Sequence, residues 1–142
     1  NGPVVKEEKE RLEGWLGRAG KESVAAILAS LKKTMWKNVG VIRDEQGLGR
    51  ALADIRSLRQ NLASAGVDSP REWLHALRLE KMLTVAEMVA WSAQARKESR
   101  GAHYRTDYPE EKDPAGRCNV VVRKEGSNMG LSTRPVKGLF LR

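Results

Sequence analysis

The sequence predicts a mainly α fold: an antiparallel three-helix bundle, spectrin-repeat-like, with a C-terminal β-hairpin extension. Three observations carry this. Apolar residues recur at helical spacing in three successive segments between residues 22 and 99. Turn and cap chemistry separates those segments. Beyond Pro109 the pattern shifts to two short β-type runs around Lys124-Glu125-Gly126-Ser127-Asn128. The expected organisation is a linker or N-terminal helix over 1–20, the bundle over 21–109, and a loop and β-hairpin tail over 110–142.

Each element has its own signal. Residues 4–19 read as a charged helix opened by Pro3, with Leu12, Trp15 and Leu16 as a short apolar face and Gly17 and Gly20 weakening its end. The segment 22–39 places Val24, Ile27, Leu28, Leu31, Met35 and Val39 on one face. Gly40 to Asp44 interrupts the pattern, and Asp44 suits the N-cap of the next helix, 45–65. There Leu48, Leu52, Ile55, Leu58 or Arg59, and Leu62 form one face, and Gly66 suits a terminator. Ser69-Pro70-Arg71-Glu72 is a capping box with proline at the first helical position. The helix that follows is expected to reach about Ser99, burying Trp73, Leu74, Leu77, Met82, Val85, Met88, Val89 and Ser92 or Ala93. Arg96 and Lys97 suit its negative end. Gly101 suits the left-handed position after it. Asn119–Arg123 and Met129–Arg134 read as strands, the second stopped by Pro135. A lone hairpin is marginal in water, so it needs a surface to lie on. Trp36 and Trp91 either complete the core or face a docked domain.

Composition bounds the class. A chain of 142 residues suits one domain. No run of about 18 apolar residues exists to span a membrane, and no signal-peptide pattern opens the chain. The first residue is Asn1, which suggests a fragment or a trimmed chain. Cys118 is the single cysteine, so no intrachain disulfide or cysteine metal cage is expected, and a reducing cytoplasmic setting fits. The net charge of +8 permits nucleic acid, an anionic surface or an acidic partner. However, the basic residues are dispersed along every helix among Glu and Asp. A nucleic-acid footprint should concentrate them on one face.

The densest chemistry lies in Arg96–Pro109, which holds charges, an imidazole and two phenols in one short run. It contains no catalytic constellation. Ser99 and His103 have a turn between them and no third group to orient the imidazole. His75 and His103 lack partners at metal-ligand spacing. Gly47-Leu48-Gly49 lacks the strand and the third glycine of a dinucleotide fingerprint. The alternatives left are a helix cap with a salt-bridge cluster, an intrachain lock, or an interdomain or active-site rim contact.

The string Arg96-Lys97-Glu98-Ser99-Arg100-Gly101-Ala102-His103-Tyr104-Arg105-Thr106-Asp107-Tyr108-Pro109 resembles the C-terminal domain of succinate dehydrogenase and fumarate reductase flavoproteins, whose relatives include L-aspartate oxidase and adenylylsulfate reductase. Thr34–Arg43, Leu48–Leu58 and Leu131–Val136 resemble further parts of the same domain, in the same order. Ala102 before His103 leans toward the dehydrogenase and fumarate reductase branch, and the short tail leaves room for a soluble enzyme.

The resemblance implies the C-terminal helical domain of an FAD-dependent oxidoreductase acting on succinate or fumarate. It implies FAD in the parent protein but no cofactor, catalytic, flavin-binding or metal residue in these residues. Glu98, Ser99, Arg100, His103, Arg105 and Asp107 match the most distinctive motif and are expected to dock or brace the domain. The implied partners are the flavin-binding and capping domains of the same polypeptide and an iron–sulfur electron-transfer subunit. The implied location is cytoplasmic, or peripheral at the inner face of the membrane. The alternative is a stand-alone basic helical module binding nucleic acid or a protein partner.

Overall fold

The computed structural model describes residues 2–15, 17, 20, 22–113, 116–126 and 128–136. Four helices precede a hairpin: α1 (Pro3–Glu13), α2 (Val24–Val39), α3 (Glu45–Ala63) and α4 (Pro70–Ala95). Two-residue strands β1 (Ile42–Arg43) and β2 (Tyr104–Arg105) pair in parallel. Strands β3 (Cys118–Glu125) and β4 (Asn128–Pro135) pair antiparallel. The chain forms two compact units, Asn1–Thr34 with Ala53–Ala86, and Met35–Leu52 with Glu87–Arg142.

In the first unit the caps explain where helices begin. The Ser23 hydroxyl accepts from the Ala26 amide at 3.2 Å and starts α2. The Ser69 hydroxyl accepts from the Glu72 amide at 3.2 Å and starts α4. Thr34 donates to Asp54 at 3.1 Å, and Asn61 donates to Glu22 at 2.9 Å. Moving from Glu22 to Thr34 along the chain, the partner moves back from Asn61 to Asp54, so α2 and α3 run antiparallel here. The buried apolar side chains include Val24, Ile27 and Leu31 of α2, Ile55, Leu58 and Leu62 of α3, and Ala76, Leu79 and Leu83 of α4. Helix α1 stops at Glu13 rather than 19. Gly14 follows immediately, and Gly17 takes a left-handed φ of 75°. Leu16 lies outside the described residues, as does the side chain of Leu12, while Trp15 is buried.

The face that α4 buries differs from the expectation. Leu74, Met82, Val85 and Val89 are exposed, whereas Ala76, Leu79, Leu83, Ala86, Ala90 and Ala93 are buried. At about 100° per residue the two sets lie on faces roughly 110° apart. Apolar side chains are spread nearly all round this helix among polar ones, so periodicity cannot choose between its faces. The buried face is the one rich in alanine, where small side chains permit close approach. Four buried alanines stand beside two leucines.

In the second unit the Asp44 carboxylate accepts from the Gly47 amide and caps α3, as its position suggested. Val39, Leu48, Ala51, Leu52, Ala90 and Ala93 are buried, together with the polar Asn38, Glu98, Ser99 and Arg105. The hairpin register runs from Cys118↔Pro135 to Glu125↔Asn128, with Gly126 at φ 60° supplying the left-handed turn residue. The parallel pair of β1 and β2 was not anticipated. Its strands are two residues long and distant in sequence, with no local signal.

Candidate functional site

Helix α4 ends at Ala95, four residues short of the expected stop, and its last carbonyls need donors. They receive them from β2. Arg105 Nη1 donates to the carbonyls of Ala93 and Gln94, each at 3.2 Å, and of Arg96 at 3.5 Å. A guanidinium there also complements the negative end of the helix dipole. The rest of the same fork faces acids. Nε and Nη2 grip the two oxygens of Asp107, each at 2.7 Å, and Nη2 also donates to Glu45 at 2.9 Å.

Arg105 is 0% exposed yet fully partnered, which is how a buried cation becomes tolerable. Its proton is held more tightly than usual, first by the Asp107 bond, against the effect of burial. In return, Arg105 holds the Asp107 carboxyl down at about 2. Asp107 also accepts the Glu45 amide at 3.0 Å, placing an anion on the N-terminus of α3.

A second ionic cluster surrounds Glu98. Its carboxylate accepts from Arg96, from Arg100 Nη2 at 3.1 Å and from the Lys112 amide at 3.0 Å. Burial pushes this carboxyl up. The bonds from Arg100, the Lys112 amide and Arg96 outweigh burial and hold it at about 2. Arg100 reaches on to Asp113 at 2.7 Å and to Glu111 at 3.1 Å. Arg96 also donates to the carbonyls of Gly116, at 3.0 Å, and Cys118. A side chain at Gly116 would run into the Glu98 carboxylate, so glycine is required there by close approach.

Ser99 and His103 complete the arrangement. The Ser99 hydroxyl accepts from the Arg105 amide at 2.9 Å and donates to the Tyr108 carbonyl at 2.8 Å. Gly101, at φ 59°, turns the chain so that Arg100 and His103 exchange backbone bonds at 2.8 and 3.1 Å. His103 Nδ1 meets Arg43 Nη1 at 2.6 Å, and Nε2 lies 3.2 Å from the Arg96 carbonyl. Arginine can only donate. The consistent tautomer is therefore neutral, with the proton on Nε2. Burial, and then the charges of Arg43, Arg105 and Arg96, push its pKa below the usual histidine value.

The fold thus gathers Glu98, Ser99, Arg100, His103, Arg105 and Asp107 into one connected network. Arg43, Glu45, Lys112 and Gly116 join it and were missed from sequence, and Arg96 joins it from the same stretch without having been among the expected docking residues. Glu45 sits in the first turn of α3, where an acid is ordinary, so its sequence position carries no sign of Arg105. Ser99 contacts backbone atoms and both His103 nitrogens are engaged, so the pair holds no nucleophile–base relation. His75 is exposed on α4.

Among the described residues, no group of three or more His, Cys, Asp or Glu side chains could hold a metal. A shallow pocket of about 160 Å³ is lined by Lys97, Lys112, Cys118 and Thr133, among others. Ligand pockets run to roughly 300–1,000 Å³. Gly47 and Gly49 lie inside α3. The lining of this pocket does not fit a flavin.

The family model described as "Fumarate reductase flavoprotein C-term" matches residues 28–140. The chain belongs to this family. The fumarate reductase flavoprotein subunit of Mycobacterium tuberculosis (strain H37Rv) is 36% identical over 125 residues, covering 83% of this chain and 21% of that one. An L-aspartate oxidase of Rhodospirillum rubrum is 47% identical over 91 residues, covering 64% of this chain and 28% of that one. The solved Mycobacterium smegmatis Sdh1 complex in the apo form superposes with a TM-score of 0.83 at 29% identity, over 98% of this chain and 25% of that one. The chain spans about a fifth to a quarter of the length of the proteins it matches. Among the described residues, no helix is long and apolar enough to cross a membrane.

Proposed function

We propose that this domain ends an FAD-dependent oxidoreductase of the succinate/fumarate class and serves it as a structural and docking module. Glu98, Ser99, Arg100, His103, Arg105 and Asp107 act as a brace. They spend their polar groups on one another and on backbone, fixing the end of α4, the start of α3 and the β1–β2 pair as one rigid surface. The observation that carries this reading is the complete internal pairing of the buried Arg105 and Glu98 side chains. Catalysis and flavin binding then belong to the flavin-binding and capping domains of the same polypeptide. An iron–sulfur subunit is the electron partner, and the location is cytoplasmic or peripheral at the inner membrane face. Residues 21–109 form the folding unit of the module, with 110–142 as its tail.

The test is Arg100→Ala in the full-length polypeptide. The brace reading expects a lower melting temperature and a loss of bound flavin on mild heating. Unchanged stability together with unchanged succinate or fumarate turnover would remove the role. A flavin spectrum retained by the isolated 142-residue chain would overturn the assignment of FAD to the other domains.

A further inference from the structure

Arg43 differs from the other arginines of the network. It is half-buried, and among the described residues it pairs with no carboxylate. Its guanidinium is held by the Gly40 carbonyl, 2.6 Å from Nε, and by His103 Nδ1, 2.6 Å from Nη1. An imidazole nitrogen can accept that bond only while it keeps its lone pair. Nε2 of the same ring donates to the Arg96 carbonyl at 3.2 Å. His103 therefore ties the exit of α4 to β1. The bonds that join β1 to β2 include the Tyr104 amide to the Val41 carbonyl at 3.2 Å and the Thr106 amide to the Arg43 carbonyl at 2.9 Å.

We infer that His103 and Arg43 form a proton-operated latch on the β1–β2 pair, closed when the imidazole is neutral and open when it is protonated. A proton taken from solvent has one place to go, Nδ1, because Nε2 already carries one. There it removes the acceptor and sets an N–H against the guanidinium, two cations at hydrogen-bond distance. The Arg96 carbonyl keeps its bond to Nε2, so the ring stays with α4 and Arg43 is released. The charges that act on the ring are Arg43 on β1, Arg96 just beyond α4 and Arg105 on β2, all cationic. The acids of the brace are engaged elsewhere: Glu98 with Arg96 and Arg100, Glu45 and Asp107 with Arg105. Burial first, and then these cations, hold the ring below its usual value of 6.5, so the latch is shut at neutral pH. Glu98 and Asp107 stay ionised down to about 2, so the rest of the brace holds while the latch opens. The latch is internal to this unit and does not depend on what the parent protein does.

NMR on the 142-residue chain between about pH 7.5 and about pH 5 decides this. Imidazole nitrogen shifts at neutral pH should show the Nε2–H tautomer for His103, as its two bonds require. Protection of the Tyr104 and Thr106 amides, corrected for intrinsic exchange at each pH, should fall at least about fivefold. The fall should follow the His103 titration, while amides in the middle of α3 and α4 keep their protection. His103→Gln offers an oxygen to Arg43 and an N–H to the Arg96 carbonyl but cannot titrate, so it should abolish the response. A response that persists in the folded variant would overturn the latch. So would equal protection on both sides of the His103 titration, a loss shared with α3 and α4, or an Nδ1–H tautomer at neutral pH. Those three readings come from the wild-type chain and need no variant to fold.

Discussion

Arg105→Met in the 142-residue chain is the sharpest perturbation of the brace. Methionine fills similar volume but donates nothing. The change removes the bidentate grip on Asp107 at 2.7 Å, the bond to Glu45 at 2.9 Å and the donors to the last carbonyls of α4. Breaking a buried ion pair from one side costs about 3–5 kcal/mol, because the remaining charge is left unpaired. Here the acids are not sealed in. The side chains of Asp107 and Glu45 are 31% and 50% exposed, so water recovers part of the loss. The expected cost is therefore at the lower end, about 3 kcal/mol. Against a typical total of about 5–15 kcal/mol that is a large fraction. With an urea m-value of about 1.5 kcal/mol per molar, the unfolding midpoint should fall by about 2 M. Circular dichroism and tryptophan fluorescence should report the same shift at unchanged m. Arg105→Lys keeps a charge but offers three donors from one point rather than a planar fork, so it should recover only part. Arg105→Met combined with Asp107→Leu should recover part of the loss too. A midpoint change under about 0.3 M for Arg105→Met would show that desolvation cancels the ionic attraction, and the brace would carry no stability.

Stability should also depend on acid in a defined window. Glu98 and Asp107 are held at about 2, below their ordinary values of 4.5 and 3.8, so the unfolded chain binds their protons first and stability falls as pH drops from 4.5 toward 2. His103, also lowered, begins that decline below its ordinary value of 6.5. Urea midpoints measured from pH 7 to 3 check this, and Glu98→Gln should flatten the lower part of the curve. On α4, Leu83→Ala should cost about 2–5 kcal/mol and Val85→Ala under about 0.5, since only Leu83 is buried; reversed magnitudes in urea melts would restore the other face as the core. Ser99→Ala strips a partner from the Arg105 amide and the Tyr108 carbonyl and should cost about 1–3 kcal/mol by the same melts. Gly116→Ala should cost about 1–3 kcal/mol by driving a methyl group into Glu98, and a melt matching wild type would disprove that close approach.

Local signals in this chain were legible where short-range chemistry decides the outcome. Ser69 and Asp44 cap helices where their side chains can reach amides three residues on, and the Lys124–Asn128 segment turns because glycine accepts a left-handed φ. Helix ends set by distant groups were not legible. Nothing near Ala95 marks it as the end of α4. Arg105 caps those carbonyls from ten residues downstream, and Arg96 turns away to Glu98 and the Gly116 carbonyl. The six motif residues could be named as a group from resemblance, but their partners Arg43 and Glu45 could not. Those contacts span about sixty residues of sequence and exist only once β1 meets β2.

By itself the sequence determined that this protein is mainly helical with a terminal hairpin and that its polar chemistry concentrates in Arg96–Pro109. Periodicity, caps and residue inventory suffice for those statements, because each depends on neighbours within a turn or two. Tertiary structure alone decided which face of α4 is core, where α4 stops, and that the motif's charges turn inward while Trp36, Ile42 and Tyr104 turn outward. Burial and long-range ion pairing are properties of surfaces brought together by folding. An arginine reads the same in sequence whether it is solvated or, like Arg105, enclosed with every donor engaged.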